Sequence, residues 1–248
     1  NKGFNSQIKI HENKFFIVDR DNVLRAYSIL DGSEIWNIKN ENSFIKSQKK
    51  LSIEVLNNIV YFNSSTGDLN AVDIDTGQLL WQTYTQQSSI LENTFSLKTS
   101  SIIIFDDSIF FSNNRNTFYS LDIQNGYVNW TQKINSYLKP IVIDNLVFSI
   151  SLSGFMIILD KNNGEIIRST DIFSGFKSKK RDKIKPVGFV MGLKNLYLTT
   201  DNGRLLTVDI KTGKTISILK IDNKKISTPF ISNNELFIVR ENSIIKFN

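Results

Sequence analysis

Cysteine is absent from this chain, which removes disulfides, thiolate metal sites and cysteine nucleophiles together. The absence suits an oxidising and a reducing compartment alike. Histidine is nearly absent: His11 stands alone, so neither a histidine-based triad nor a multi-histidine metal site can be built. It precedes Glu12 and Asn13 and reads as a surface residue at a turn. Long hydrophobic runs are missing too. The longest candidates are stretches such as Ile102-Ile103-Ile104-Phe105, far below the roughly eighteen apolar residues that cross a bilayer as a helix. The first residues, Asn1 to Ser6, have no apolar core of the signal-peptide kind, which neither establishes nor excludes export of a processed chain.

What is present suffices for a packed β domain. Hydrophobic residues make up 40% and aromatics 11% of the 248 residues, a length that suits one large all-β domain. The net charge of +6 invites a nucleic-acid or anionic-membrane reading. The chain is also rich in Ile, Lys and Asn and poor in Pro and Ala, the pattern of AT-rich coding, which raises lysine usage without any functional demand. No nucleic-acid partner is expected.

Five segments repeat: LRAYSILDGSEIW from Leu24, LNAVDIDTGQLLW from Leu69, FYSLDIQNGYVNW from Phe118, MIILDKNNGEIIR from Met156 and LLTVDIKTGKTIS from Leu205. Their glycines, Gly32, Gly77, Gly126, Gly164 and Gly213, recur at intervals in the forties, with one in the high thirties. A period of this size signals propeller blades. Four residues before the glycine stand Asp73, Asp122, Asp160 and Asp209, with Ser28 in the first copy, short polar side chains suited to bonding turn amides. The glycine supplies the positive φ of a tight turn. Leu24, Leu69, Phe118, Met156 and Leu205 lie two residues before Ala26, Ala71, Ser120, Ile158 and Thr207, so both sets share one strand face, expected to stack blade on blade.

All three tryptophans, Trp36, Trp81 and Trp130, stand four residues after a glycine. A flat ring in that register on an outer strand is expected to lie against a neighbouring blade and bury roughly 200 Å². In the fourth and fifth copies Arg168 and Ser217 occupy the position, so the interlock is lost or replaced there. These eight glycines and tryptophans are the expected blade-docking residues. A sixth copy runs through Thr228–Ser232, Glu235–Val239 and Ile244–Asn248 and stops where an outermost strand would begin.

The expected fold is therefore all-β: a propeller of four-stranded antiparallel blades, about six present, either six-bladed with weak closure or part of a larger, eight-bladed ring. Residues 1–248 read as a single domain with repeats at about 5–40, 50–86, 100–134, 138–171, 187–221 and 227–248.

The stretch Asn70-Ala71-Val72-Asp73-Ile74-Asp75-Thr76-Gly77 through Trp81 resembles the PQQ-type repeat family, which divides into quinone-dependent dehydrogenases and cofactor-free scaffolds. The enzymes carry a calcium and quinone site with an Asp base, and many add a vicinal disulfide that a chain without cysteine cannot form. Asp73-Ile74-Asp75-Thr76-Gly77 has the look of a calcium loop but lacks the downstream bidentate Glu, and the turn reading is favoured. Blade order, the closing stretch from Lys220-Ile221-Asp222 through Thr228-Pro229 to Phe247, and the end after a third strand are similar to the propeller lipoproteins of the machine that inserts β-barrels into the bacterial outer membrane.

That resemblance implies eight blades and a lipidated N-terminal cysteine, so that about two blades and the anchor lie outside this chain. It implies a monomeric, non-catalytic scaffold in the periplasm, peripheral to the outer membrane, without cofactor or metal. Its partners would be a BamA-like barrel insertase and unfolded outer-membrane proteins. The family's docking surface lies in loops leading into two adjacent blades. The first corresponds to Ser43-Phe44-Ile45-Lys46, making Phe44, Ile45 and Lys46 the candidate partner-binding residues; the second falls near Ser96-Leu97-Lys98-Thr99, without the acidic pair expected there. The alternatives are a PQQ- and calcium-dependent dehydrogenase or its degenerate relative, and a propeller that holds a small ligand in its channel.

Two connections stand out. Lys177, Lys179, Lys180, Arg181, Lys183 and Lys185 crowd one, downstream of Phe173 and Phe176, a composition that meets phosphates or anionic headgroups; a solvated, mobile insertion is the favoured reading. The other, Gln86 to Thr99, intersperses Ile90, Leu91, Phe95 and Leu97 among polar residues, and reads equally as a docking element or as packing over the blade edge.

Overall fold

The computed structural model describes residues 3–39, 49–85 and 97–247. These form five four-stranded antiparallel sheets and one three-stranded sheet, each a simple meander. Blade 1 comprises β1 (Lys9–His11), β2 (Lys14–Val18), β3 (Val23–Ser28) and β4 (Glu34–Lys39); blade 2 comprises β5 (Ile53–Leu56), β6 (Ile59–Asn63), β7 (Leu69–Asp73) and β8 (Leu79–Thr83). Blade 3 comes next with β9 (Ile103–Phe105), β10 (Ser108–Asn113), β11 (Thr117–Asp122) and β12 (Val128–Gln132), and blade 4 with β13 (Ile141–Ile143), β14 (Leu146–Ile150), β15 (Phe155–Asp160) and β16 (Ile166–Asp171). Blade 5 comprises β17 (Pro186–Met191), β18 (Asn195–Thr200), β19 (Arg204–Asp209) and β20 (Thr215–Lys220), and blade 6 has β21 (Phe230–Ser232), β22 (Glu235–Arg240) and β23 (Ser243–Phe247). This is the β-propeller architecture that the repeat predicts. Among the described residues one helix occurs, α1 (Ser178–Arg181), and none is long and apolar enough to cross a membrane.

The chain divides into two compact units, 1–133 with blades 1 to 3 and 134–248 with blades 4 to 6. Within each, the alternating faces of neighbouring sheets make the core. Phe16, Val18, Leu24 and Ala26 of blade 1 pack on Ile53, Val60, Phe62 and Val72 of blade 2. On the other face of blade 2, Tyr61, Leu69 and Ala71 meet Ile109, Phe111 and Leu121 of blade 3. In the second unit Phe148, Ile150, Met156 and Ile158 meet Leu196, Leu198, Leu206 and Val208. A strand buried on both faces loses the simple apolar–polar alternation, which is why β6, β7, β10 and β11 are almost wholly buried.

The repeated turn is held in one way throughout. In blade 2 the Asp73 carboxylate accepts the amides of Asp75 and Thr76 and the Thr76 hydroxyl, while the Gly77 amide donates to the Asp73 carbonyl at 3.0 Å. Asp122, Asp160 and Asp209 repeat the arrangement, and the Ser28 hydroxyl accepts from Leu30. The Thr76 and Thr212 hydroxyls hold the carboxyls of Asp73 and Asp209 below the usual range. Just beyond the turn, each of blades 1 to 5 has a register shift at one place, between Ala26 and Tyr27, Ala71 and Val72, Ser120 and Leu121, Ile158 and Leu159, and Thr207 and Val208. The extra residue is a β-bulge, which increases local twist and re-aims the next side chain. In blades 1 to 3 that side chain is the tryptophan.

The turn glycine is bound to this geometry by space as well as by φ. A methyl group on Gly126, at φ +74°, would stand 2.4 Å from Cε3 of Trp81. One on Gly32, at φ +71°, would meet nothing within 4 Å. Gly126→Ala should therefore lose about 3 kcal/mol, combining left-handed strain with overpacking, whereas Gly32→Ala should lose about 1 kcal/mol from strain alone. Denaturant midpoints of the two variants measure the difference. Because Asp73 and Asp209 titrate lower folded than unfolded, their contribution is present above the unfolded value near pH 4 and lost as pH falls through the folded one. The doubly substituted Asp73→Ala, Asp209→Ala protein should be less stable than wild type at pH 7, and thermal melts should show the gap closing below about pH 4.

Candidate docking surface

In an antiparallel meander the turns alternate between the two edges of the sheet. The connections between blades and the turns between second and third strands share one edge; the hairpins carrying Gly32, Gly77, Gly126, Gly164 and Gly213 occupy the other. The first edge holds the long segments able to vary without disturbing the core.

The inter-blade locks sit on the glycine edge. Trp36 lies over Gly77, with its ring atoms 2.8 Å from where a methyl group would be, and its Nε1 donates to the Ile74 carbonyl at 3.0 Å. Trp81 lies over Gly126 in the same way, and the Thr83 hydroxyl adds a 2.6 Å bond to the Gly126 carbonyl. The Trp81 Nε1 is buried without a partner. Trp130 stacks on Phe118 of its own blade, centroids 5.8 Å apart and planes 12° from parallel. Where tryptophan gives way to Arg168, the guanidinium donates to the carbonyls of Ile210 and Lys211, and Thr170 covers Gly213. Ile210 holds the place that Ile74 holds in blade 2, so the lock at Arg168 is replaced and not lost. Ser217 is exposed.

The sequence repeat also contains a second turn register that composition alone did not reveal. Asp19, Ser64, Asn113, Ser151 and Thr200 each cap the turn between second and third strands by accepting the amide four residues on, as Val23 does to Asp19 at 3.0 Å and Phe155 to Ser151 at 3.0 Å. Three residues after each cap stands a positive φ: Asn22, Gly67, Asn116, Gly154 and Gly203. The signal was a short polar residue with Asn or Gly at that spacing after it.

Three of these positions fasten the connections to the edge. A methyl group on Gly67 would be 2.7 Å from Cδ2 of Leu97, one on Gly154 2.2 Å from the ring of Phe173, and one on Gly203 2.4 Å from the Asp222 carbonyl. Leu97 and Phe173 are accordingly buried, so the described end of the Gln86–Thr99 connection packs over its blade. Residues 86–96 lie outside the described residues, as do Phe44, Ile45 and Lys46. At the same edge both ends of the Asn63 amide are buried without a partner, a situation that an ordered water meets.

The basic connection is anchored to the blades at both of its ends. Phe173 is fully buried and Ile184 nearly so; the Phe176 ring meets Phe173 edge-on at 5.2 Å. Between these anchors α1 is braced by Arg181, which pairs with Asp171 at 2.6 Å and lies 5.8 Å over the Phe155 ring. These anchors are invisible to composition, while the lysines between them are exposed as a solvated segment would have them.

The carboxylates of the calcium-like stretch are engaged elsewhere: Asp73 caps its turn and Asp75 pairs with Lys14 of blade 1 and accepts from Asn58. Among the described residues, no three His, Asp or Glu side chains are gathered as metal ligands. His11 ends β1 beside the turn at Glu12, half-buried. Burial, with the Lys98 charge added, lowers the Lys49 amine to about 8. Since folding favours the neutral amine, its charged form costs stability below pH 8, and the cost is relieved as pH rises from 8 toward the unfolded value near 10.4. Lys49→Met should abolish that gain and be the more stable protein at pH 7, as thermal melts across pH 7 to 10 will read.

A family model described as outer membrane protein assembly factor BamB matches residues 1–170. The chain is 22% identical over 241 residues to the outer membrane protein assembly factor BamB of Shewanella oneidensis, covering 91% of this chain and 56% of that protein. Against the BamB of Legionella pneumophila it is 23% identical over 154 residues, covering 61% of this chain and 35% of that protein. It therefore spans about half or less of the length of the curated relatives it matches. The crystal structure of BamB from Moraxella catarrhalis superposes with a TM-score of 0.79 at 14% identity, over 96% of this chain and 70% of that one.

Proposed function

Since the chain belongs to the family described as outer membrane protein assembly factor BamB, we propose that it is a non-catalytic scaffold assisting the assembly and insertion of outer-membrane β-barrel proteins. The observation that carries this reading is the family match over residues 1–170, which spans blades 1 to 4. Rigid blades presenting variable connections along one edge supply what a scaffold needs, many attachment points and no chemistry.

In this reading the protein works on the periplasmic side of a bacterial outer membrane as a monomer without cofactor. Its partners are a BamA-like insertase and unfolded outer-membrane proteins. Phe44, Ile45 and Lys46, in the connection leading into blade 2, form the insertase contact. An apolar pair beside a cation suits a small interface with an aromatic anchor and a charged rim.

Affinity purification of the tagged chain from native cell envelopes should recover the barrel insertase. Phe44→Asp with Ile45→Asp should reduce that recovery at least about ten-fold, because a buried, unpaired carboxylate costs more than about 1.4 kcal/mol. Recovery of cytosolic proteins alone, or sustained dye reduction after reconstitution with PQQ and calcium, would overturn the proposal.

A further inference from the structure

The segment between blades 4 and 5 concentrates charge. Lys177, Lys179, Lys180, Arg181, Lys183 and Lys185 face Asp182 alone within residues 177–185, so five of the six net positive charges of the chain fall in nine residues. A compositional excess of lysine would be spread along the chain. Here the remainder is one charge from neutral.

The five lysines are exposed, and no salt bridge engages them among the described residues. The nearby acids are otherwise committed. Asp171 holds Arg181, and Asp201 accepts the Lys185 backbone amide at 2.9 Å while its own amide donates to the Lys185 carbonyl at 2.9 Å. The segment is fixed at both ends by Phe173 and Ile184, and Gly175 is pressed close to Ile218, where a methyl group would be 2.9 Å from Cδ1. The ordering cost of presenting these charges is therefore met by the fold and not at the moment of binding.

The division of labour between the two cation types points to the partner. Arginine, whose fork pairs with individual carboxylates, is turned inward onto Asp171 and Phe155. The outward-facing cations are the five lysines, compact and strongly hydrated point charges, on α1 and the residues flanking it. Such an array suits a diffuse anionic field, as at a bilayer surface, better than a defined acidic peptide.

We propose that residues 177–185 form a platform that docks against anionic lipid headgroups, orienting the edge that carries the connections toward a membrane. The inference goes beyond the scaffold reading and draws on it only for where such a surface would be met. Its test needs no protein partner, so the two fail separately.

The chain is titrated with vesicles of phosphatidylcholine alone and with vesicles containing phosphatidylglycerol, at low and at high salt. Binding should require phosphatidylglycerol and weaken with salt. Each lysine near such a surface contributes about five-fold, so Lys177→Gln, Lys179→Gln, Lys180→Gln should bind on the order of 100-fold more weakly. Lys194→Gln, Lys211→Gln, Lys214→Gln, which removes equal charge from exposed sites on the opposite edge, should bind nearly as wild type. Circular dichroism checks that both triple variants fold. Equal losses in the two variants, binding to uncharged vesicles, or binding only to an acidic peptide would each overturn the proposal.

Discussion

Two sheets can nest closely at a hairpin only where the hairpin has no side chain in the way. At Gly77 and Gly126 a methyl group would fall within 2.8 Å of an indole carbon, and at Gly213 within 2.6 Å of the Thr170 hydroxyl. Each of these glycines also has a positive φ, between 72° and 74°. One residue type thus answers a conformational and a steric demand at once. The tryptophan and its glycine are two halves of one contact: the bulge twists the outer strand so that the ring reaches the next blade, and the bare turn lets it lie flat. Arg168 makes the same reach with hydrogen bonds in place of ring area. The lock is a position with a geometric requirement, open to more than one chemistry.

Once blades are fastened at the glycine edge and through their buried faces, the opposite edge is free to vary. There the structure uses a second set of turn positions, Gly67, Gly154 and Gly203, to seat the connections. Leu97 and Phe173 are held down by that arrangement, and the segment after Phe173 becomes an ordered carrier of exposed charge. The blade locks and the long connections thereby lie on different edges of the same sheets. The acidic turn residues that look like metal ligands are meanwhile held by turn amides and by Lys14.

Most of the fold was legible because the repeat writes the same physics five times. The glycine and tryptophan registers located the outer hairpins, and the pairing of Leu24 with Ala26 or Leu69 with Ala71 identified the stacking faces, these four residues being buried. What stayed hidden depends on contacts distant in sequence. The β-bulge leaves no composition mark. The cap at Ser64 or Ser151 is a single small residue whose role appears only when the turn closes. Whether the interlock at Arg168 is lost or replaced stays open in the sequence because its acceptor, the Ile210 carbonyl, lies 42 residues away. The basic segment read as a solvated loop because lysines dominate it, while its order comes from Phe173 and Ile184 packing on blades 4 and 5. Phe44, Ile45 and Lys46 are candidate docking residues on resemblance alone and lie outside the described residues.

The claim that the lock is a coupled pair can be tested by a double-mutant cycle on Trp36 and Gly77, tracking denaturant unfolding of the chain with Trp36→Ala, Gly77→Ala and both. If the glycine is required because the indole occupies its side-chain space, Gly77→Ala should be far less costly once the ring is gone, with a coupling of at least about 1.5 kcal/mol. Costs that add to within about 0.5 kcal/mol would contradict the account, because the glycine would then serve its own turn and nothing else.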